Sequence, residues 1–185
     1  MLYLGIDQSL TSTGLAILSP VSAEPVVLRT VEPKSLRGGA RLAFIRKTIS
    51  ECLAGRSIAQ AAMEGYNYGA GAGQLFELGE VGGIVKCLLA ELDIPLISVA
   101  PSQLKKFVAH KSSADKDEMM AAVKDKWKLD IRQDDMADAY GLARVASVYA
   151  SGISIYRPEL EVVQSLKKPS EAVFKPRRGR GRSSL

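Results

Sequence analysis

The chain is predicted to fold as an α/β layered domain whose mixed β-sheet is flanked by α-helices. Two patterns carry that expectation. Three short apolar runs separated by turn formers come first, and strands alternating with segments of helical periodicity come afterwards. The length sets the scale: 185 residues suffice for one ordinary domain that buries its own core without disulfides or a structural metal.

Leu2 to Asp7, Gly14 to Leu18 and Val26 to Val31 read as strands. The turn-forming stretch Asp7-Gln8-Ser9-Leu10-Thr11-Ser12-Thr13-Gly14 joins the first two. Ser19-Pro20 with Ala23-Glu24-Pro25 joins the next pair, so a meander of antiparallel hairpins is expected. From Ala40 to Leu53, the residues Leu42, Ile45, Ile49 and Leu53 recur at spacings of three and four, which predicts a helix. Gln60 to Glu64 reads as a short strand ending on an acid, and Gly65 to Gly73, rich in glycine and tyrosine, as a loop. Leu75 to Leu92 is helical by periodicity, although Gly79, Gly82 and Gly83 lower its propensity and point to close approach of another backbone. Pro95 to Ala100 is expected as a buried strand, and Ser102 as the start of a short helix. Asp115 can cap a helix ending near Trp127, and Asp135 to Ala150 forms the last helix. The expected organisation is a domain over 1–157 and a basic tail over 158–185, disordered from about Leu166 onward.

The composition, 46% hydrophobic and 24% charged, is that of a globular protein, and no apolar run approaches the roughly 20 residues of a membrane span. The stretch Met1 to Asp7 has no basic leader and meets an acid at once, which predicts a cytoplasmic protein. Cys52 and Cys87 lie in helix-like segments away from any zinc-type set and are expected as buried reduced thiols. The net charge of +5 is unevenly placed: from Lys167 onward seven basic residues face Glu171 alone, and the rest of the chain sums to −1. Lys175 to Arg182, with Arg177, Arg178, Arg180 and Arg182, is therefore expected as a phosphate-binding arm, with a solubilising terminus as the alternative.

Four acids are candidates for one site. Side chains alternate along the first strand, so Tyr3, Gly5 and Asp7 share a face and Asp7 stands at the strand's end. Glu64 ends a second strand, and Asp135 and Asp138, three apart, project from one face of a helix. Carboxylates gathered this way repel one another unless a cation neutralises them, and hard oxygen donors favour Mg²⁺ or Mn²⁺. Taken singly, each acid is as well explained by capping or the helix dipole. Asp134, four residues from Asp138, can replace Asp135 on that helical face, and spacing does not separate the two.

The quoted segments, however, resemble the RuvC-type Holliday junction resolvases of the RNase H-like superfamily. The matching pieces are Gly5-Ile6-Asp7-Gln8-Ser9 with Thr13-Gly14, then Ala62-Met63-Glu64-Gly65, then Asp134-Asp135-Met136-Ala137-Asp138-Ala139, spread over about residues 2–150. The resemblance implies an RNase H-like fold and a metal-dependent endodeoxyribonuclease that cuts branched DNA in recombination or repair. Asp7, Glu64, Asp135 and Asp138 would then be catalytic and would hold Mg²⁺, replaceable by Mn²⁺, with two ions per site; it favours Asp135 over Asp134. It also implies phosphate-holding lysines at Lys105 and Lys116, with Lys106 and Lys111 as neighbouring alternatives, and a base-unstacking aromatic, Tyr66 or Tyr68, in the loop after Glu64. The helix from Leu75 to Leu92 resembles the family's dimer-forming helix, so the expected partners are branched DNA and a second copy, with no membrane and no nucleotide cofactor. His110, the only histidine, is expected to be structural.

Three rivals remain at this level. The Gly5-to-Gly14 stretch also resembles the phosphate loop of sugar-kinase and actin-like ATPases, but the chain has no second glycine-rich phosphate motif. A non-catalytic junction-binding protein would lack one of the acids. A related nuclease acting on RNA hybrids or flaps is not separated by sequence.

Overall fold

The computed structural model describes residues 1–66 and 72–168. Five strands form one sheet in the order β3-β2-β1-β4-β5, where β1 is Leu2–Asp7, β2 Thr13–Leu18, β3 Pro25–Val31, β4 Ile58–Glu64 and β5 Leu96–Val99. The β1–β2 and β2–β3 pairs are antiparallel, as the hairpin turns predict, whereas β1–β4 and β4–β5 are parallel. The sheet is therefore mixed, and its two acid-bearing strands, β1 and β4, run side by side with the same polarity.

Strand alternation divides the core. Leu4, Ile6, Leu15, Ile17, Ala61 and Met63 face helices α1 (Gly38–Leu53) and α2 (Ala72–Glu91), where Ile45, Ile49, Val85 and Leu89 meet them. Tyr3, Ala16, Leu18 and Ala62 face the opposite layer: α3 (Pro101–Ala109), α4 (Lys116–Trp127), α5 (Asp134–Ser151) and α6 (Arg157–Lys167). Two glycines place α5. A Cβ on Gly5 would overlap the carbonyl of Ala139 and the amide of Ala143, and one on Gly14 would overlap the carbonyl of Asp135. The backbone of α5 thus rests directly on β1 and β2, and its first turn lies over the end of β1.

Several expectations need correction. Residues 157–167, assigned largely to the tail, form α6, which buries Val162 and Val163 against the core. Pro158, which marked a break in the sequence, sits in the helix's first turn, where proline is tolerated. Strand β5 is a partly exposed edge strand, not a buried one. Cys87 is exposed and Cys52 half-buried, because both lie toward the outer flanks of their helices. Helix α2 begins at Ala72, inside the expected loop. Among the described residues, no helix is long and apolar enough to cross a membrane.

Candidate active site

The ends of β1 and β4 and the first turns of α5 bring the acids together. Asp7 is buried at the last position of β1, and Glu64 is half-buried at the last position of β4. Burial is the main reason the Asp7 carboxyl is held well above the usual range, followed by the charges of Glu64, Asp138 and Asp135 and by its hydrogen bond with Glu64. Burial likewise raises Glu64, while its hydrogen bond with Asp7 and the charge of Lys105 act the other way. Asp138 is pushed up to about 7, first by burial, then by Glu64, Asp134 and Asp135, with Lys105 opposing. Four carboxyls thus share one field, which Lys105 on α3 reaches at Glu64 and Asp138 and Lys116 on α4 reaches at Asp135 and Asp138.

Asp134 has a different role. It forms an ion pair with Lys116, the first residue of α4, and that contact holds its carboxyl below the usual range. The structure therefore separates two acids that spacing left equivalent. The other lysines near the site are engaged elsewhere: Lys106 with Glu161 at 2.9 Å and Lys111 with Glu118 at 2.5 Å. Tyr66 lies back against α2, its hydroxyl over Gly82 and the Lys86 ammonium 4.9 Å from its ring centre. Tyr68 and Arg177, Arg178, Arg180 and Arg182 lie outside the described residues. His110 ends α3 in a left-handed conformation and contacts Lys126 and the ring of Tyr156.

The donor set fits a hard divalent cation: carboxylate oxygens only, in a buried field that opposes their ionisation until positive charge offsets it. Among the described residues, no three acidic, histidine or cysteine side chains already form a group that could hold an ion. The fit lies in donor chemistry and electrostatics, not in a closed ligand shell.

Sequence reasoning quoted Gln8 and Thr13 within the matching segments but gave neither a role. Gln8 is buried, and its Nε2 donates to the Glu64 carbonyl at 3.0 Å. The fully buried Thr13 donates its hydroxyl to the Ser9 carbonyl at 2.9 Å and accepts from the Ser9 amide. The amides of Thr11 and Ser12 turn toward Ser9 Oγ. This turn spends its donors on itself, unlike a loop that presents amides to nucleotide phosphates.

The family model for crossover junction endodeoxyribonuclease RuvC matches residues 3–146. The chain belongs to the RuvC family. Its relatives include the RuvC of Hydrogenovibrio crunogenus, 27% identical over 139 residues, which span 74% of this chain and 81% of that one. The RuvC of a Synechococcus strain is 26% identical over 148 residues, spanning 77% of this chain and 96% of its own. The fold matches Thermus thermophilus RuvC in complex with a Holliday junction substrate, with a TM-score of 0.70 at 22% identity, over 81% of this chain and 93% of that one. It also matches the yeast mitochondrial Holliday junction resolvase at a TM-score of 0.53 and 14% identity, covering 88% and 80%. RuvC proteins are endodeoxyribonucleases that depend on a divalent metal, and this chain is one of that family.

Proposed function

We propose that the protein resolves Holliday junctions by hydrolysing phosphodiester bonds at the site formed by Asp7, Glu64, Asp135 and Asp138. The observation that carries this reading is the shared buried field of those acids at the ends of β1 and β4. These carboxylates would hold Mg²⁺, or Mn²⁺ in its place, with two ions per site. Such a pair, when bound, stabilises the attacking and leaving oxygens of an in-line displacement. The remaining work falls to the protein. Lys105 reaches the acids from α3 and would hold the scissile phosphate, while Lys116 would exchange its ion pair with Asp134 for a DNA phosphate. Water is the nucleophile, so no covalent intermediate with the protein is required.

A four-way junction has symmetric strands and calls for two equivalent sites, which a two-fold dimer supplies. The outer face of α2 suits that contact. Phe76 is 77% exposed, and Gly79 and Gly83, three and seven residues on, have nothing among the described residues within 4 Å of where a side chain would begin. Arg177, Arg178, Arg180 and Arg182 would add salt-dependent contacts to DNA, and Tyr66 or Tyr68 would stack on bases at the branch. Such an enzyme works in the cytoplasm, where the DNA is.

The test is cleavage of synthetic four-way, three-way, flap and linear duplexes with Mg²⁺, comparing the wild type with Asp7→Asn. Four-way junctions cut by the wild type alone are the expected result; undiminished cutting by the variant would remove the proposed site.

A further inference from the structure

The side chain of Gln8 is out of place by ordinary energetics. It is 6% exposed, and its Oε1 is a buried acceptor with no hydrogen-bond partner among the described residues. An unmet buried acceptor costs roughly 1–3 kcal/mol, and an apolar side chain of similar shape would avoid that cost. One half of the amide has an evident task. β1 is paired with β4 only as far as Ile6 and Met63, so the Glu64 carbonyl lies beyond the ladder, and Gln8 Nε2 bonds it there at 3.0 Å. The amide extends the sheet by one rung under a candidate metal-binding acid.

The other half points at α2. Gln8 Oε1 and the Tyr66 hydroxyl both lie over the α-carbon of Gly82, close enough that a Cβ there would overlap both. The tyrosine hydroxyl is a donor placed beside an acceptor that lacks one. It is also two residues beyond Glu64, at the start of the loop that leads to α2. The amide of Gln8 therefore stands between the acid and the tyrosine, with one polar atom for each.

We propose that Gln8 is a positioning residue that couples Tyr66 to Glu64: in the DNA-bound protein the Tyr66 hydroxyl donates to Gln8 Oε1, and the same amide holds the Glu64 backbone in place. This deepens the reading of the site as a junction nuclease and rests on it. Gln8 touches neither the phosphate nor the ions; it acts through Glu64. Two properties follow: the amide's contribution appears in the cleavage step and not in junction affinity, and it requires the tyrosine hydroxyl.

The experiment is a double-mutant cycle on the full chain with Gln8→Met, Tyr66→Phe and the pair. Single-turnover cleavage of a four-way junction in Mg²⁺, junction binding with the metal chelated, and thermal melting are measured for each. Gln8→Met should slow cleavage about 10-fold, since one charge-free hydrogen-bonded link is removed. It should leave junction affinity unchanged and melt close to the wild type, because the cost of the unmet Oε1 goes together with the bond to the Glu64 carbonyl. Tyr66→Phe should slow cleavage several-fold in the wild type and not at all in Gln8→Met. Equal effects of Tyr66→Phe in both backgrounds would overturn the coupling, as would a Gln8→Met defect confined to affinity or to melting. A wild-type chain that cuts no branched DNA would overturn both this inference and the proposed function, whereas normal wild-type cutting with an additive cycle would overturn this inference alone.

Discussion

Two of the places where the described residues bury charge handle it in opposite ways. Between α4 and α6, Lys126 and Glu159 are nearly inaccessible and form an ion pair. The Lys126 ammonium also donates to the carbonyls of Phe107 and Val108 at 3.0 and 3.1 Å and lies 4.5 Å from the centre of the Trp127 ring, while Glu159 accepts from Ser154. At the ends of β1 and β4 and the start of α5, four carboxyls share a field: burial keeps Asp7, Glu64 and Asp138 protonated to higher pH than usual, and repulsion from neighbouring carboxylates adds to it at Asp7 and Asp138. The first arrangement is complete within the chain and fastens α6 to the core. The second is left wanting positive charge from outside, which is the condition of a site that binds a cation.

Substitutions can sharpen that contrast, beginning with the largest effect. Asp7→Asn should slow junction cleavage about 10³-fold, a loss typical of removing a group that stabilises developing charge; a loss below about tenfold in a single-turnover assay would place Asp7 outside the reacting centre. Next, Glu159→Gln should lower the unfolding free energy by about 3 kcal/mol, because Lys126 keeps its buried charge without its partner. Urea denaturation measures this, and an unchanged midpoint would mean that the pair contributes nothing. The cleavage rate per folded molecule should stay as in the wild type.

A smaller effect separates the two sites by sign. The Asp138 carboxyl is raised from 3.8 to about 7 in the folded chain, so between those values the folded state holds a proton that the unfolded state releases. The stability this confers is present in full below the unfolded value and lost as the pH rises through about 7. With metal chelated, the melting temperature should therefore fall from about pH 5 to about pH 8. Asp138→Asn should make that fall shallower, in contrast to the loss from Glu159→Gln, and a slope equal to the wild type's would contradict the cause given. The smallest change is a displacement of a curve. Lys105 opposes the raised carboxyls of Glu64 and Asp138, so Lys105→Met should move the acidic limb of the cleavage profile to higher pH; a limb that stays put would detach Lys105 from the acids.

Much of this was legible in the sequence because its signals are periodic or ordered. Alternation along Leu2 to Asp7 places Leu4 and Ile6 on one face and Gly5 and Asp7 on the other, which is how they lie. Asp115 caps α4 as its position predicts, bonding the Glu118 amide at 2.9 Å. What escaped was what depends on a distant neighbour. Nothing local distinguishes Asp134 from Asp135; the difference is Lys116, eighteen residues away on another helix. Gln8 reads as one more polar residue in a turn until β4 and α2 are placed around it. Pro158 carries a local signal that was misleading, since the same residue ends one helix or begins another according to what packs beneath it.

At Gly5 and Gly14 the backbone of α5 meets the backbone of β1 and β2 with no strand side chain between them. The distance between Asp7 and the acids of α5 is thereby set by main chain lying on main chain, in the way two machined faces locate each other without a gasket. Apolar residues elsewhere in the core can be exchanged for others of similar bulk while that distance holds. A single methyl group at Gly5 has nowhere to go, so the tolerance of the reacting centre to sequence drift is narrowest at a position that carries no functional group at all.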